Sequence, residues 1–218
     1  MRLRLFTYVL LCLVLSSLSL VNLVHTVAQT LPSCVSICDE TGEVYGAGFI
    51  VAKGYVVTAR HVTNYLIQHE WVIYVRLAND KIIQVDKIVL LNVTKEQPLD
   101  AVLLKVDTET QPPAKLGNSD HVHQADTVFA IGAPYGLKQS VTVGTISALH
   151  RDFILEGIVY ADSIQTAGLL HPGNSGGPLL SQRGEVLGVN VVGIGNGIGM
   201  SIPINQVCTA LHRNGLRL

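Results

Sequence analysis

Charge is scarce in this chain. Lys, Arg, Asp and Glu make up 14% of its 218 residues, and 15 basic against 16 acidic side chains leave a net charge of −1. A balance so nearly neutral gives no reason to expect nucleic acid as a partner. His, Cys, Asp and Glu do not gather at the spacing that metal ligation requires, so neither a metal nor another cofactor is called for. Cysteine is also sparse. Cys12 falls in an apolar N-terminal run, leaving Cys34, Cys38 and Cys208, and the expected bridge joins Cys208 to one of the other two. The strand–helix alternation of an α/β-hydrolase is missing, which argues against that fold. What remains is a chain 48% hydrophobic, long enough to bury a sizeable core.

The longest stretch without charge runs from Leu5 to Val24, behind Arg2 and Arg4. Twenty uncharged, largely apolar residues suffice to cross a bilayer as a helix, and the preceding arginines predict that the remainder lies on the non-cytoplasmic side. Residues 1–28 are read as a signal anchor. Small residues at Thr26-Val27-Ala28 supply the cleavage site that would make them a signal peptide instead, leaving the rest secreted or periplasmic.

Beyond this segment the chain reads as short β-branched runs broken by Gly, Asn, Asp and Pro, the pattern of an all-β protein. Strands are predicted near 33–38, 45–51, 55–58, 71–77, 82–91, 101–106, 127–132, 141–149, 158–165, 178–181, 186–192 and 198–202. Gln111-Pro112-Pro113 and Gly117-Asn118-Ser119-Asp120 separate two groups of six. Two six-stranded β-barrels are expected, about 33–108 and 121–205. Ile204, Val207, Ala210 and Leu211 are at helical spacing behind Pro203, predicting a short C-terminal helix.

Chemistry concentrates at Pro172-Gly-Asn-Ser-Gly-Gly-Pro178. Glycines beside Ser175 permit a sharp bend that exposes its hydroxyl and frees backbone N–H groups, at Gly173, Asn174 and Ser175, to bind an oxyanion. Such a serine needs a base and an acid that orients the base. His61 follows the apolar run Tyr55-Val56-Val57-Thr58 and so is expected at a strand end, whereas His25, His69, His121, His123, His150, His171 and His212 are expected at the surface. His171, four residues before Ser175, is the one that could line a cleft. Asp100 opens the run Ala101-Val102-Leu103-Leu104, but Asp86 and Asp107 also flank strand-like runs, and local pattern leaves all three in contention.

The strings Gly46–Val51, Val57–Val62, Asp100–Val106, Ala130–Leu137, Ile164–Thr166, Gly184–Asn190 and Gly199–Pro203, together with the serine motif, resemble the trypsin-like serine peptidases of the HtrA/Deg type. The likeness runs from about Ser33 to Leu211. It implies the chymotrypsin-like pair of barrels, with residues 29–218 as the protease domain, His61 as base, Asp100 as orienter and Ser175 as nucleophile. By the same resemblance Leu170, Val191, Val192, Gly193 and Ile194 surround the pocket for the residue before the cut, and unfolded or extended polypeptides are the substrates. A homo-oligomer is compatible with it. The chain departs from the family at Thr166-Ala167-Gly168, where relatives carry an acid, and at Asn174, where trypsin-like zymogens carry an aspartate. It ends at Leu218 without the peptide-binding PDZ domain that many relatives append, so no gating by such a domain is expected. The competing account is a membrane-tethered peptide-binding or chaperone-like module without catalysis. An esterase using the same triad is a third reading.

Overall fold

The computed structural model describes residues 23–94, 98–108, 110–137, 139–155, 157–195 and 197–216, with the side chain of Ile194 outside the description. The first strands are β1 (Cys34–Cys38), β2 (Val44–Ala52), β3 (Tyr55–Thr58), β4 (Tyr74–Arg76), β5 (Ile82–Gln84), β6 (Lys87–Asn92) and β7 (Pro98–Lys105). They form one antiparallel sheet in the order β5-β4-β1-β2-β3-β7-β6. The predicted strand 82–91 is thus two strands, parted at Val85-Asp86. The N–H groups of these two residues turn away to Ile73 O and Lys105 O.

The second sheet holds β8 (Lys115–Leu116), β9 (Thr127–Gly132), β10 (Ser140–Leu155), β11 (Ile158–Ala167), β12 (Pro178–Ser181), β13 (Glu185–Ile194) and β14 (Ile198–Pro203). Its order is β12-β9-β10-β11-β14-β13-β8, and a further β12–β13 pairing closes six of these strands into a barrel. The two-residue β8, which the sequence did not suggest, lies parallel to β13. It belongs to the expected connector, which Ala114 N–H fastens to Ile50 O and Gly117 N–H to Val186 O.

One apolar core runs through both sheets, from Phe49, Val57 and Leu104 to Phe129, Val189 and Ile202. The C-terminal helix α3 (Ile204–Arg213) contributes Ile204, Val207, Ala210 and Leu211 to it, as their spacing predicted. Two helices depart from expectation. A helix over 23–30, α1, packs Leu23 and Val27 against the core, so a boundary after residue 28 falls inside a structured helix. Helix α2 (Arg60–Gln68) replaces the predicted strand end at His61, because Val62, Thr63 and Leu66 fall on one buried face.

Residues 1–22, most of the predicted membrane run, lie outside the described residues. Among the described residues no helix is long and apolar enough to cross a membrane. The cysteines correct another expectation. Cys34, Cys38 and Cys208 are all free, and burial pushes the Cys34 thiol up to about 12 and that of Cys38 to about 11.

Candidate active site

His61 is the second residue of α2, just past the end of β3, and Asp100 lies in β7, the strand paired with β3. The His61 N–H donates to Asp100 Oδ1 at 2.8 Å, and His61 Nδ1 meets Asp100 Oδ2 at 2.7 Å. The carboxylate side chain is wholly buried, while the imidazole keeps 38% of its surface exposed. A buried carboxylate needs donors, and one residue supplies two of them, fixing the ring's orientation by its own backbone. Asp86 and Asp107 are exposed, which separates them from Asp100. The other seven histidines are exposed as well.

Ser175 comes from the opposite sheet, on the loop between β11 and β12. Its carbonyl accepts from Ala47 N–H at 2.8 Å, and the next residue's N–H donates to Asn190 O at 2.7 Å. Gly176 has φ +83°, and a Cβ there would strike Ala47 O, Thr58 and Ala59 N, so the bend fits against β2 and β3 only as glycine. Gly173 has φ +99° and backs onto Ala133 O with the same consequence. Of the three anticipated oxyanion donors, Asn174 drops out, because its N–H is spent on His171 O at 3.0 Å. The N–H groups of Gly173 and Ser175 make no hydrogen bond among the described residues.

The loop lacking the family's acid is held in another way. The Leu169 side chain is fully buried, and its carbonyl accepts from Thr142 Oγ1 at 2.8 Å and from Asn174 Nδ2 at 3.3 Å. Gly168 N–H donates to Gly197 O at 2.8 Å.

His61 and Ser175 face the same cleft of about 300 Å³, whose wall includes Leu170, Val191, Val192 and Gly193. Leu170 reaches over Gly199, where an added Cβ would come within 2.7 Å of its Cγ, so leucine fills space the bare backbone of β14 leaves. No acidic side chain lines this cleft among the described residues. The Ser175 hydroxyl donates to Val191 O at 3.3 Å, and no hydrogen bond joins it to His61. On the other side of Ser175 a second hollow, about 550 Å³, is bordered by Tyr45, Tyr65 and Gly173. Three wall residues escaped sequence reasoning: Leu155, Ile158 and Tyr160, all from the β10–β11 hairpin. The polar His150-Arg151-Asp152 interrupted the apolar pattern there, so the hairpin's reach was not legible.

Comparison with known proteins gives a consistent result. A family model described as a trypsin-like peptidase domain matches residues 46–189. A probable periplasmic serine endoprotease, DegP-like, of Chlamydia pneumoniae is 39% identical over 181 residues, covering 79% of this chain and 35% of that protein. The magnetosome formation protease MamE of Magnetospirillum gryphiswaldense is 36% identical over 185 residues, covering 81% and 23%. Among solved structures, Deg5 superposes with a TM-score of 0.68 at 32% identity, covering 85% of this chain and 90% of that one. The serine endoprotease from Yersinia pestis superposes at 0.69 and 29% identity, covering 88% and 65%. The chain spans about a third or less of the length of these curated relatives.

Proposed function

This chain belongs to the trypsin-like peptidase family, with DegP-like and HtrA-type relatives, and from that membership we propose that it is a serine endopeptidase acting through His61, Asp100 and Ser175. The observation that carries the reading is the His61–Asp100 pair, closed by two hydrogen bonds, with His61 sharing one cleft with Ser175. With its Nδ1–H given to Asp100, the imidazole presents Nε2 as the acceptor for the serine proton. Turning the Ser175 hydroxyl from Val191 O toward Nε2 completes the relay, and such catalytic hydrogen bonds commonly tighten only when substrate is bound.

In the reaction Ser175 Oγ attacks the peptide carbonyl carbon while its proton passes to His61 Nε2. The carbonyl oxygen takes up the electron pair, and the N–H groups of Gly173 and Ser175 stabilise it. His61 then protonates the departing amine, and water hydrolyses the acyl-enzyme by the same steps. Among the described residues β13 pairs from Val191 onward with β14 alone, so its cleft-facing edge is open to an extended substrate strand. Leu170, Val191, Val192 and Gly193 favour a small or medium aliphatic side chain before the cut, and the absence of an acid disfavours Lys or Arg. The proposed substrates are unfolded or extended polypeptides. Residues 1–28 are proposed to carry the domain to the non-cytoplasmic side, as anchor or signal.

The resting contact between Ser175 and Val191 O favours one second reading, a latent site that holds peptides without cutting them. Fluorophosphonate labelling and casein cleavage by the full chain separate the two. Both activities should vanish in Ser175→Ala, with cleavage falling by about a millionfold. An unlabelled, well-folded wild-type chain would instead support the latent site.

A further inference from the structure

Asp100 Oδ2 receives a second donor from across the seam between the sheets. Tyr160, on β11 and 5% exposed, donates its hydroxyl to that oxygen at 2.9 Å. We infer that Tyr160 is a positioning residue of the site, holding the Asp100 carboxylate and through it the His61 ring in register with Ser175. The inference rests on the peptidase reading.

The argument begins with the carboxylate. It is sealed from solvent, so protein groups must supply its donors, and three do: His61 N–H on Oδ1, with His61 Nδ1 and Tyr160 on Oδ2. Both donors on the His61 side belong to the residue that the carboxylate is meant to hold, and Nδ1 moves with its ring. Tyr160 is the independent anchor, and among the described residues it is the one side chain of the second sheet that hydrogen-bonds Asp100. Its own position is well fixed. The ring stacks on Phe153, its cross-strand partner, with centroids 4.5 Å apart and planes 3° from parallel.

Electrostatics adds a second effect. A phenol hydrogen bond withdraws negative charge from Oδ2, the oxygen that stabilises a protonated His61. Removing it leaves more of that charge to hold an imidazolium. The other ionisable side chains lining the hollows around His61 and Asp100 are Arg60, His171, Tyr45 and Tyr65, and none is altered by a change at position 160. Tyr160, Leu155 and Ile158 also wall the substrate cleft, so a peptide seated on this hairpin presses on the same element that anchors the carboxylate.

Tyr160→Phe removes the hydroxyl and keeps the ring. In the full chain kcat should fall about tenfold with KM unchanged, the loss of one hydrogen bond to a charged group. The acidic limb of the kcat/KM profile should move up by about half a pH unit. Unchanged kcat and an unmoved limb, with or without a lower Tm, would reduce Tyr160 to packing and overturn the inference. The same substitution in Ser175→Ala, followed by NMR titration of His61, reads the Tyr160 effect without activity. A wild-type chain that does not label with fluorophosphonate defeats the peptidase reading, while an unmoved His61 titration defeats this one. Should Tyr160→Phe fail to fold, Phe153→Leu retains the hydroxyl but loosens its ring, and kcat should then drop about threefold. No drop in that variant would count against the inference.

Discussion

On the first sheet His61 and Asp100 grip each other through side chain and backbone, whereas on the second Ser175 is held by main-chain hydrogen bonds and by glycines fitted against the facing strands. The first arrangement is built from residues of the first half of the chain, with one donor added from Tyr160 across the seam, and depends on charge. The second depends on shape, and it exists only while the sheets are docked, since Ala47 and Thr58 belong to the opposite sheet. Replacements should therefore fail chemically on one side of the cleft and mechanically on the other.

Asp100→Asn is the strongest probe of the first side. It preserves shape but supplies an amide where His61 Nδ1–H needs an anion, and the rate of casein cleavage should fall about ten-thousandfold while the chain still melts cooperatively. Gly176→Ala probes the second. A methyl forced against Ala47 O at φ +83° should destabilise the fold by about 3 kcal/mol in urea titration. Loss of fluorophosphonate labelling should accompany that melting. If Gly176→Ala instead stayed fully stable and active, the notion of a mechanical half would fail.

Leu170→Ala sharpens the comparison without breaking either half. Clearing the space over Gly199 should shift kcat/KM by about tenfold toward larger apolar residues before the cut, read with peptides varied at that one position. The smallest effect is expected outside the cleft. Lys115 Nζ lies 2.7 Å from Glu185 Oε1, and this hydrogen bond holds the Glu185 carboxyl below its ordinary range. A carboxylate with a lowered folded pKa stabilises the protein above its unfolded pKa, and that contribution is lost as pH falls through the folded value. Lys115→Ala should consequently flatten the decline of Tm on acidification, by an amount modest for so exposed a pair.

Local pattern sufficed for what is local. Ser175 announced itself through its glycines, α3 through the spacing of Ile204, Val207 and Leu211, and most strands through runs of Val and Ile. Helix α2 was hidden because β-branched Val62 and Thr63 follow shortly after the run that ends β3, and only burial of Leu66 reveals the helical face. Choosing Asp100 over Asp86 and Asp107 needed either the family resemblance or the fold, because all three sit beside apolar runs and differ in what covers them. Tyr160 was illegible for a different reason. Sixty residues separate it from Asp100, and the hairpin that carries it is interrupted by bulges and charged residues. The family's acid had a substitute that composition could not reveal, the carbonyl and buried side chain of Leu169.

That Ser175 is seated by Ala47 and Thr58 also bears on how such a protein is made. Synthesis releases His61 and Asp100 first, then the connector, and the serine bend while β12, β13 and β14 have still to follow and close the second sheet around it. An unfinished chain thus carries a base and an acid with nothing to activate, and on the proposed reading the cell meets a working protease only after the last strands and α3 have been delivered to it.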